Sequence, residues 1–307
     1  MTPTGKYPLR ALLLVFGALP LKVQYANARL LSWLASDVFR YRRDDVMINL
    51  ARSFPDKKYK ELKKIRKEFY RHFADLVAET LWFGASSAKR LRKQGICRIA
   101  NPEVIASLYE KCPSVIVMYS HCGNWELYGG IENYNYSDTD THIREDNFCV
   151  VYKKMSSKVW DAVLADNRKA PLKDRKGYQG YVESNDIVRY VFNHKDEKKI
   201  YNMNTDQSPY ANSKANVLVD FLHQPTLSMT AAAALARKFG MGVAYLSMRP
   251  ESRGHYVLEY TAITDNASLL SAEEIMKQYY RLLEKDIEAA PHNYLWTHRR
   301  WKKEVLI

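Results

Sequence analysis

The chain has 307 residues, 47% of them hydrophobic, which is enough to bury a sizeable core and excludes a disordered chain. A formal net charge of +13 favours anionic partners such as nucleic acid, phosphorylated substrates, acidic carrier proteins or an anionic membrane surface. Four cysteines with no C-x-x-C pair exclude the usual structural zinc pattern and fit a reducing compartment.

The N-terminus begins with Lys6 and Arg10 ahead of "ALLLVFGALPL" (11–21), and "ANA" follows at 26–28. That outline suits a signal peptide. The apolar run is well short of the roughly 20 residues that span a bilayer. Past Lys22 and Arg29 the chain resumes with "LLSWLASDVF". Basic residues among Leu, Trp and Phe suit a helix lying in a membrane interface or inserting shallowly, and an uncleaved anchor of this kind is the expectation. A cleaved signal or an ordinary buried helix are the alternatives.

Residues 59–82 place Leu62, Ile65, Phe69, Phe73 and Leu76 at three-to-four spacing, which predicts an amphipathic helix. Its other face carries Lys60, Lys63, Lys64, Lys67 and Arg71. Such a face is ordinarily solvated; near anionic lipid or an acidic partner it would be attractive.

After about residue 110 the pattern changes. "SVIVMY" (114–119) is short, continuous and β-branched, as a buried strand should be. Similar runs stand at 148–152, 199–204, 217–221, 242–248 and 256–263. Helical patterns lie between several of them. "SMTAAAALARKFG" is stopped by Gly240, and "SAEEIMKQYYRLLEKDIEAAP" opens with a Ser271/Glu274 capping box and is stopped by Pro291. Alternating strands and helices predict an α/β fold with a mostly parallel central sheet flanked by helices. The expected organisation is a helical N-terminal region over 1–95 and an α/β domain over 96–307.

The stretch "VMYSHCGNWELYGG" (117–130) is the most informative. In a continuous helix, residues five apart diverge by about 140°, so His121 and Glu126 would not meet. If a strand ends near Ser120, His121 falls in a strand-to-helix turn at the carboxyl end of the sheet, where α/β proteins bind ligands. Gly123 then permits an unusual backbone angle, Asn124 can cap a new helix, and Glu126 can fold back onto His121. A histidine oriented by a carboxylate is a general base. A histidine satisfied by local backbone, with Glu126 aiding the helix dipole, explains the same residues without catalysis. Ser120 lacks a nucleophile elbow and Cys122 is a sequence neighbour, so neither is expected as a covalent nucleophile.

"SHCGNWE" resembles the H-x-x-x-x-D/E motif of glycerolipid-type acyltransferases, and its G-N-W-E form resembles the bacterial lipid A biosynthesis acyltransferase family. "YRRDDVMINLARSFPD" (41–56), "VVYKK" (150–154) with Arg168, "NTDQSP" (204–209), the segment 235–260 and "APHNYLWTHRRWK" (290–302) resemble further family blocks in the right order. The resemblance implies a glycerol-phosphate-acyltransferase-like α/β fold on the cytoplasmic face of the inner membrane, held by its N-terminal region. It implies acyl carrier protein or coenzyme A thioesters as donors, with no cofactor or metal, and an anionic hydroxylated lipid as acceptor. By position, His121 would be the base and Glu126 its partner, holding Nδ1–H. Gly123, Asn124, Arg168, Asp206 and Gln207 would contact substrate, with backbone N–H groups near Gly123 or Arg168 stabilising the oxyanion. Arg299 and Arg300 look structural, with the option of anchoring a carboxylate or phosphate. Two departures stand out. His223 occupies a position where Gly would be expected, and 171–183 is longer and more polar than the family pattern. Both bear on the acceptor: lipid A leads, with an amino-acid lipid or lysophospholipid as alternatives.

A thioesterase using the same dyad, or a non-catalytic basic membrane-binding module, are the competing classes. Nucleic acid is not expected, because the positive charge is spread along the chain without an interleaved aromatic motif.

Overall fold

The computed structural model describes residues 6–137, 139–209 and 216–301. Lys302, the last residue of the closing "RRWK" block, lies outside the described residues.

Five helices come first: α1 (Lys6–Ala18), α2 (Leu21–Trp33), α3 (Arg43–Ser53), α4 (Tyr59–Gly84) and α5 (Ala88–Gln94). A π-helical turn, Leu34–Val38, extends α2. No single helix among the described residues is long and apolar enough to cross a membrane; α1 and the α2 segment pass that test only as a pair bent by 113°. Both pack on α4. Gly17 of α1 sits against the Leu81 carbonyl, where a Cβ would approach to 2.3 Å. Ala28 of α2 meets Ala74 and Ala78, small residues that let the helix axes close up.

The rest alternates strands and helices: β1 (Cys97–Ile99), α6 (Pro102–Lys111), β2 (Val115–Tyr119), α7 (Ile131–Tyr134), β3 (Phe148–Tyr152), α8 (Lys158–Arg168), β4 (Tyr181–Glu183), α9 (Ile187–Asn193) and β5 (Ile200–Asn204). Then come β6 (Asn216–Phe221), β7 (Gln224–Met229), α10 (Ala231–Lys238), β8 (Gly242–Ser252), β9 (His255–Thr264) and α11 (Ala272–Ala289). Seven strands form one sheet in the order β1-β9-β8-β2-β5-β3-β4. All neighbours are parallel except β8 and β9, which pair antiparallel. The α/β sheet expected from the pattern is present, but 217–221 is not part of it. That run forms β6, which pairs with β7 in a separate antiparallel hairpin. Only Val219 and Phe221 of that run are buried, on one face of the hairpin, so a short apolar run shows neither full burial nor which sheet receives it.

β2 is the central strand, and all five of its residues are buried. Its side chains alternate between the two faces, as the pleat requires. Ile116 and Met118 join a core with α10 and α11, while Val115, Val117 and Tyr119 join a second core reaching α4 and α6. Burying each such side chain contributes roughly 1.5–3 kcal/mol, which anchors the strand whose end carries His121. The Ser271/Glu274 capping box of α11 is formed at both ends.

The two-residue β6–β7 turn places Leu222 and His223 at φ 49° and 61°. Positive φ at both positions is the twist-compatible hairpin geometry. His223 occupies a position that glycine would fill without steric cost.

Candidate active site

β2 and β5 run parallel, with Tyr119 level with Asn204. The Thr205 N–H donates to the Tyr119 carbonyl at 3.0 Å and carries the ladder one step further. The residues next in line at the carboxyl ends are therefore His121 and Asp206. The Asp206 carboxylate takes the His121 ring at Nδ1 (2.8 Å) and the His121 backbone N–H (3.2 Å). Asp206 is 2% exposed. Burial alone would raise its carboxyl, but the charge and hydrogen bonds of His121, with His298 beyond, hold it below the usual carboxylate range. An ionised Asp206 favours the tautomer with its proton on Nδ1, which leaves Nε2 as the ring's acceptor. Nε2 faces the carboxamides of Gln207 at 3.1 Å and Asn204 at 3.4 Å, and Trp125 packs edge-on against the ring with centroids 4.9 Å apart.

Glu126 does not meet His121. Residues Trp125–Tyr128 form a single 3-10 turn, and Asn124 makes no side-chain cap. From that turn Glu126 reaches Arg168 at the end of α8, in a bidentate pair of 2.7 and 2.8 Å. Burial opposes the Arg168 charge, and Glu126 more than restores it. The expected contact fails because a guanidinium 42 residues away offers two charge-assisted hydrogen bonds in one plane, while Asp206 already occupies the ring nitrogen.

Gly123 and Asn124 also stand elsewhere than expected. Gly123 is at φ 66°, the unusual angle anticipated. Its N–H, however, donates to the Asn293 backbone carbonyl and to Asn293 Oδ1 at 3.0 Å, so it is not aimed at a substrate oxygen. Asn124 is 1% exposed. Its N–H points at the Met248 sulfur and its carboxamide donates to Glu79 at 2.9 Å. Both residues build the turn that carries His121 instead of touching the cavity.

Two supports of that turn were not singled out in the sequence. Asn293, in the closing block, also donates to the Met248 carbonyl at 2.9 Å and so ties the turn to β8. Glu79 of α4 is fully buried and accepts from Tyr25 (2.7 Å), Tyr256 (2.8 Å) and Asn124. Burial pushes its carboxyl up to about 7 despite these three donors. In sequence Glu79 is one more charged residue in an amphipathic helix, and nothing in the spacing marks it as buried.

His121, Glu126, Arg168 and Gln207 share a cleft of about 630 Å³. Val150, Val151, Leu164 and Met229 give it an apolar wall, and Lys153 and Lys154 stand at its side. Tyr181, from the longer polar segment 171–183, completes the wall and donates to the Arg168 carbonyl at 2.9 Å. Gly129 lies where a Cβ would strike that carbonyl and the Tyr181 hydroxyl. Ser120 and Cys122 are buried at 3% and 2%, and burial drives the Cys122 thiol well above its usual range. Neither can present a nucleophile to the cleft. Arg300 is buried and bonded to the Leu227 carbonyl and the Tyr280 hydroxyl, while Arg299 pairs with Asp45. Both brace the closing block. Among the described residues no three His, Cys, Asp or Glu side chains group as a metal site.

A histidine held by a buried carboxylate at the carboxyl ends of a parallel sheet, beside a partly apolar cleft, marks the class as an α/β fold with a ligand-sized site at its strand ends. The chain matches the family of bacterial lipid A biosynthesis acyltransferases over residues 9–303 and belongs to that family. It is an acyltransferase. A search of curated proteins finds no match to the chain.

Proposed function

We propose that the protein moves a fatty acyl chain from an acyl carrier protein or coenzyme A thioester to a hydroxyl of a lipid A precursor. The reaction would take place at the cytoplasmic face of the inner membrane. His121 Nε2 removes the hydroxyl proton as the oxygen attacks the thioester carbonyl. The thiolate leaves and recovers a proton from the imidazolium. Asp206 holds Nδ1–H and stabilises the imidazolium, so the role first read for Glu126 passes to Asp206. Glu126 keeps Arg168 oriented at the cleft. The carboxamides of Gln207 and Asn204 meet Nε2 with one N–H each, and the second N–H of each suits the oxyanion once substrate enters, in place of the engaged single N–H of Gly123. Lys153 and Lys154 suit the phosphates of donor or acceptor.

The carrying observation is the His121–Asp206 contact at 2.8 Å with Nε2 turned to the cleft. General-base assistance is typically worth about 10²–10⁴-fold, so His121→Ala should nearly abolish turnover. The test is mass spectrometry of total lipids from a deletion strain complemented with wild type or His121→Ala. One lipid should lose a single acyl chain, and only wild type should restore it. Full restoration by His121→Ala would overturn the mechanism. Release of free fatty acid without any acylated lipid would make the enzyme a thioesterase.

A further inference from the structure

A second cleft, of about 900 Å³, lies between α2 with its π turn and the first half of α4. Its lining is unusually cationic: Arg29, Lys63, Arg66, Lys67, Arg71 and Arg253 face it. The two carboxylates there do not balance them. Asp75 is taken by Arg253 in a bidentate pair, and Asp37 accepts from Ser36. Among the described residues no ion pair within 4 Å involves Arg29, Lys63, Arg66, Lys67 or Arg71. Lys63, Lys67 and Arg71 stand four residues apart on one helix face, a like-charge spacing that destabilises a bare helix.

Arg66 is the pointed observation. It is 5% exposed, yet its buried Nε has no hydrogen-bond partner. A buried guanidinium donor left unpaired is costly, and an anion entering the cleft would satisfy it. The opposite wall is made of small residues, Ala28, Ser32 and Ser36, which leave room for a compact group. The rim is apolar. Trp33 lines the cleft and is 54% exposed, and Leu30, Leu31, Val38 and Phe39 are exposed on the same segment.

We propose that this cleft seats the phosphate of an anionic phospholipid headgroup, with Arg66 as its deep ligand and Lys63, Lys67 and Arg71 as its rim. The exposed Trp33, Leu30 and Phe39 would then enter the bilayer beside the bound headgroup. A lipid is favoured over an acidic protein surface on two grounds. A side-chain carboxylate on a folded partner reaches a 5%-exposed guanidinium poorly, whereas a single headgroup fits the cleft. The apolar rim would also stay unsatisfied against an acidic face. The site lies apart from the catalytic cleft, and the inference rests on the proposed function only in that the acceptor is a membrane lipid.

The test uses the full chain and flotation with phosphatidylcholine vesicles, with and without phosphatidylglycerol. Wild type should bind the phosphatidylglycerol vesicles preferentially. Arg66→Gln, and separately Lys67→Gln on the exposed rim should α4 not tolerate the first, should each weaken that binding roughly fivefold. Lys195→Gln, at a distant surface, should change it far less. The cleft variants should retain wild-type acyl transfer to acceptor in detergent micelles, so loss of transfer in wild type itself would strike the enzymatic reading and not this one. Equal weakening by Lys195→Gln, or none by Arg66→Gln and Lys67→Gln, overturns the proposal. So does thermal stabilisation by soluble glycerol phosphate without preferential vesicle binding, which would make the site one for free phosphate. Loss of binding to immobilised acyl carrier protein in these variants, with vesicle binding intact, would reassign the cleft to a protein and overturn the lipid assignment.

Discussion

Asp206 and His121 are joined twice, carboxylate to ring and carboxylate to backbone N–H, across two neighbouring parallel strands. The carboxylate therefore sets both the tautomer of the imidazole and the direction in which its other nitrogen points.

Asp206→Asn should accordingly lower kcat by about 10²–10⁴-fold with little change in KM, because the proton on Nδ1 loses its anionic acceptor. Glu126→Gln should leave the base intact and act mainly on KM and folding. Single-turnover kinetics on both variants decides the matter. A larger kcat loss for Glu126→Gln than for Asp206→Asn would restore the His–Glu assignment.

The Glu126–Arg168 pair is mostly buried, at 14% and 17% side-chain exposure. Removing the carboxylate alone strands a charge and should cost on the order of 3 kcal/mol. Replacing both, as Glu126→Gln with Arg168→Met, should recover much of that in denaturant melts. Strict additivity of the two single variants would show that the pair is not coupled.

Gly123 has a positive φ, and a Cβ there would sit 2.6 Å from Met248 Cγ and 3.0 Å from its carbonyl oxygen. Gly123→Ala should cost roughly 2 kcal/mol and shift His121, lowering activity beyond the loss of folded protein. A variant with wild-type melting temperature and turnover would contradict the turn described.

Glu79 links α2 and β9 to the Asn124 turn. Its folded carboxyl is raised by burial from 4.5 to about 7. For an acid shifted upward, the folded state holds more protons, so the contribution is complete below pH 4.5 and is lost as pH rises through about 7. The stability difference between wild type and Glu79→Gln should move toward the variant by roughly 3 kcal/mol across that window and then level off. Parallel stability–pH curves would refute it.

His223 occupies a left-handed turn position and is exposed. His223→Gly should stabilise the chain by about 1 kcal/mol while leaving acyl transfer unchanged. Thermal denaturation reads this directly. A lower melting temperature would mean that the imidazole contributes more than its backbone strain removes.

The glycine before Asn124 and the break after Ser120 were legible because they are local chemistry: one residue type tolerates the angle, and one apolar run has an end. Asn204 at the tip of β5 and Glu79 within α4 were not legible as site residues. Each is one polar residue in an ordinary pattern until the pairing of β5 with β2 brings Asn204 to His121 and the packing of α4 brings Glu79 to Asn124.

Sequence alone determined the alternation of strands and helices, the capped α11, the β2 terminus at which His121 stands and the membership of an acyltransferase family. These follow from periodicity and motif, which survive being read one residue at a time. Only the tertiary structure decided which acid holds His121. Glu126 is five residues away and Asp206 is 85, yet parallel pairing of β2 with β5 brings the distant one level with the ring. Arg168 draws the near one aside. Strand order and the competition between two charged partners are global properties, and spacing along the chain does not encode them.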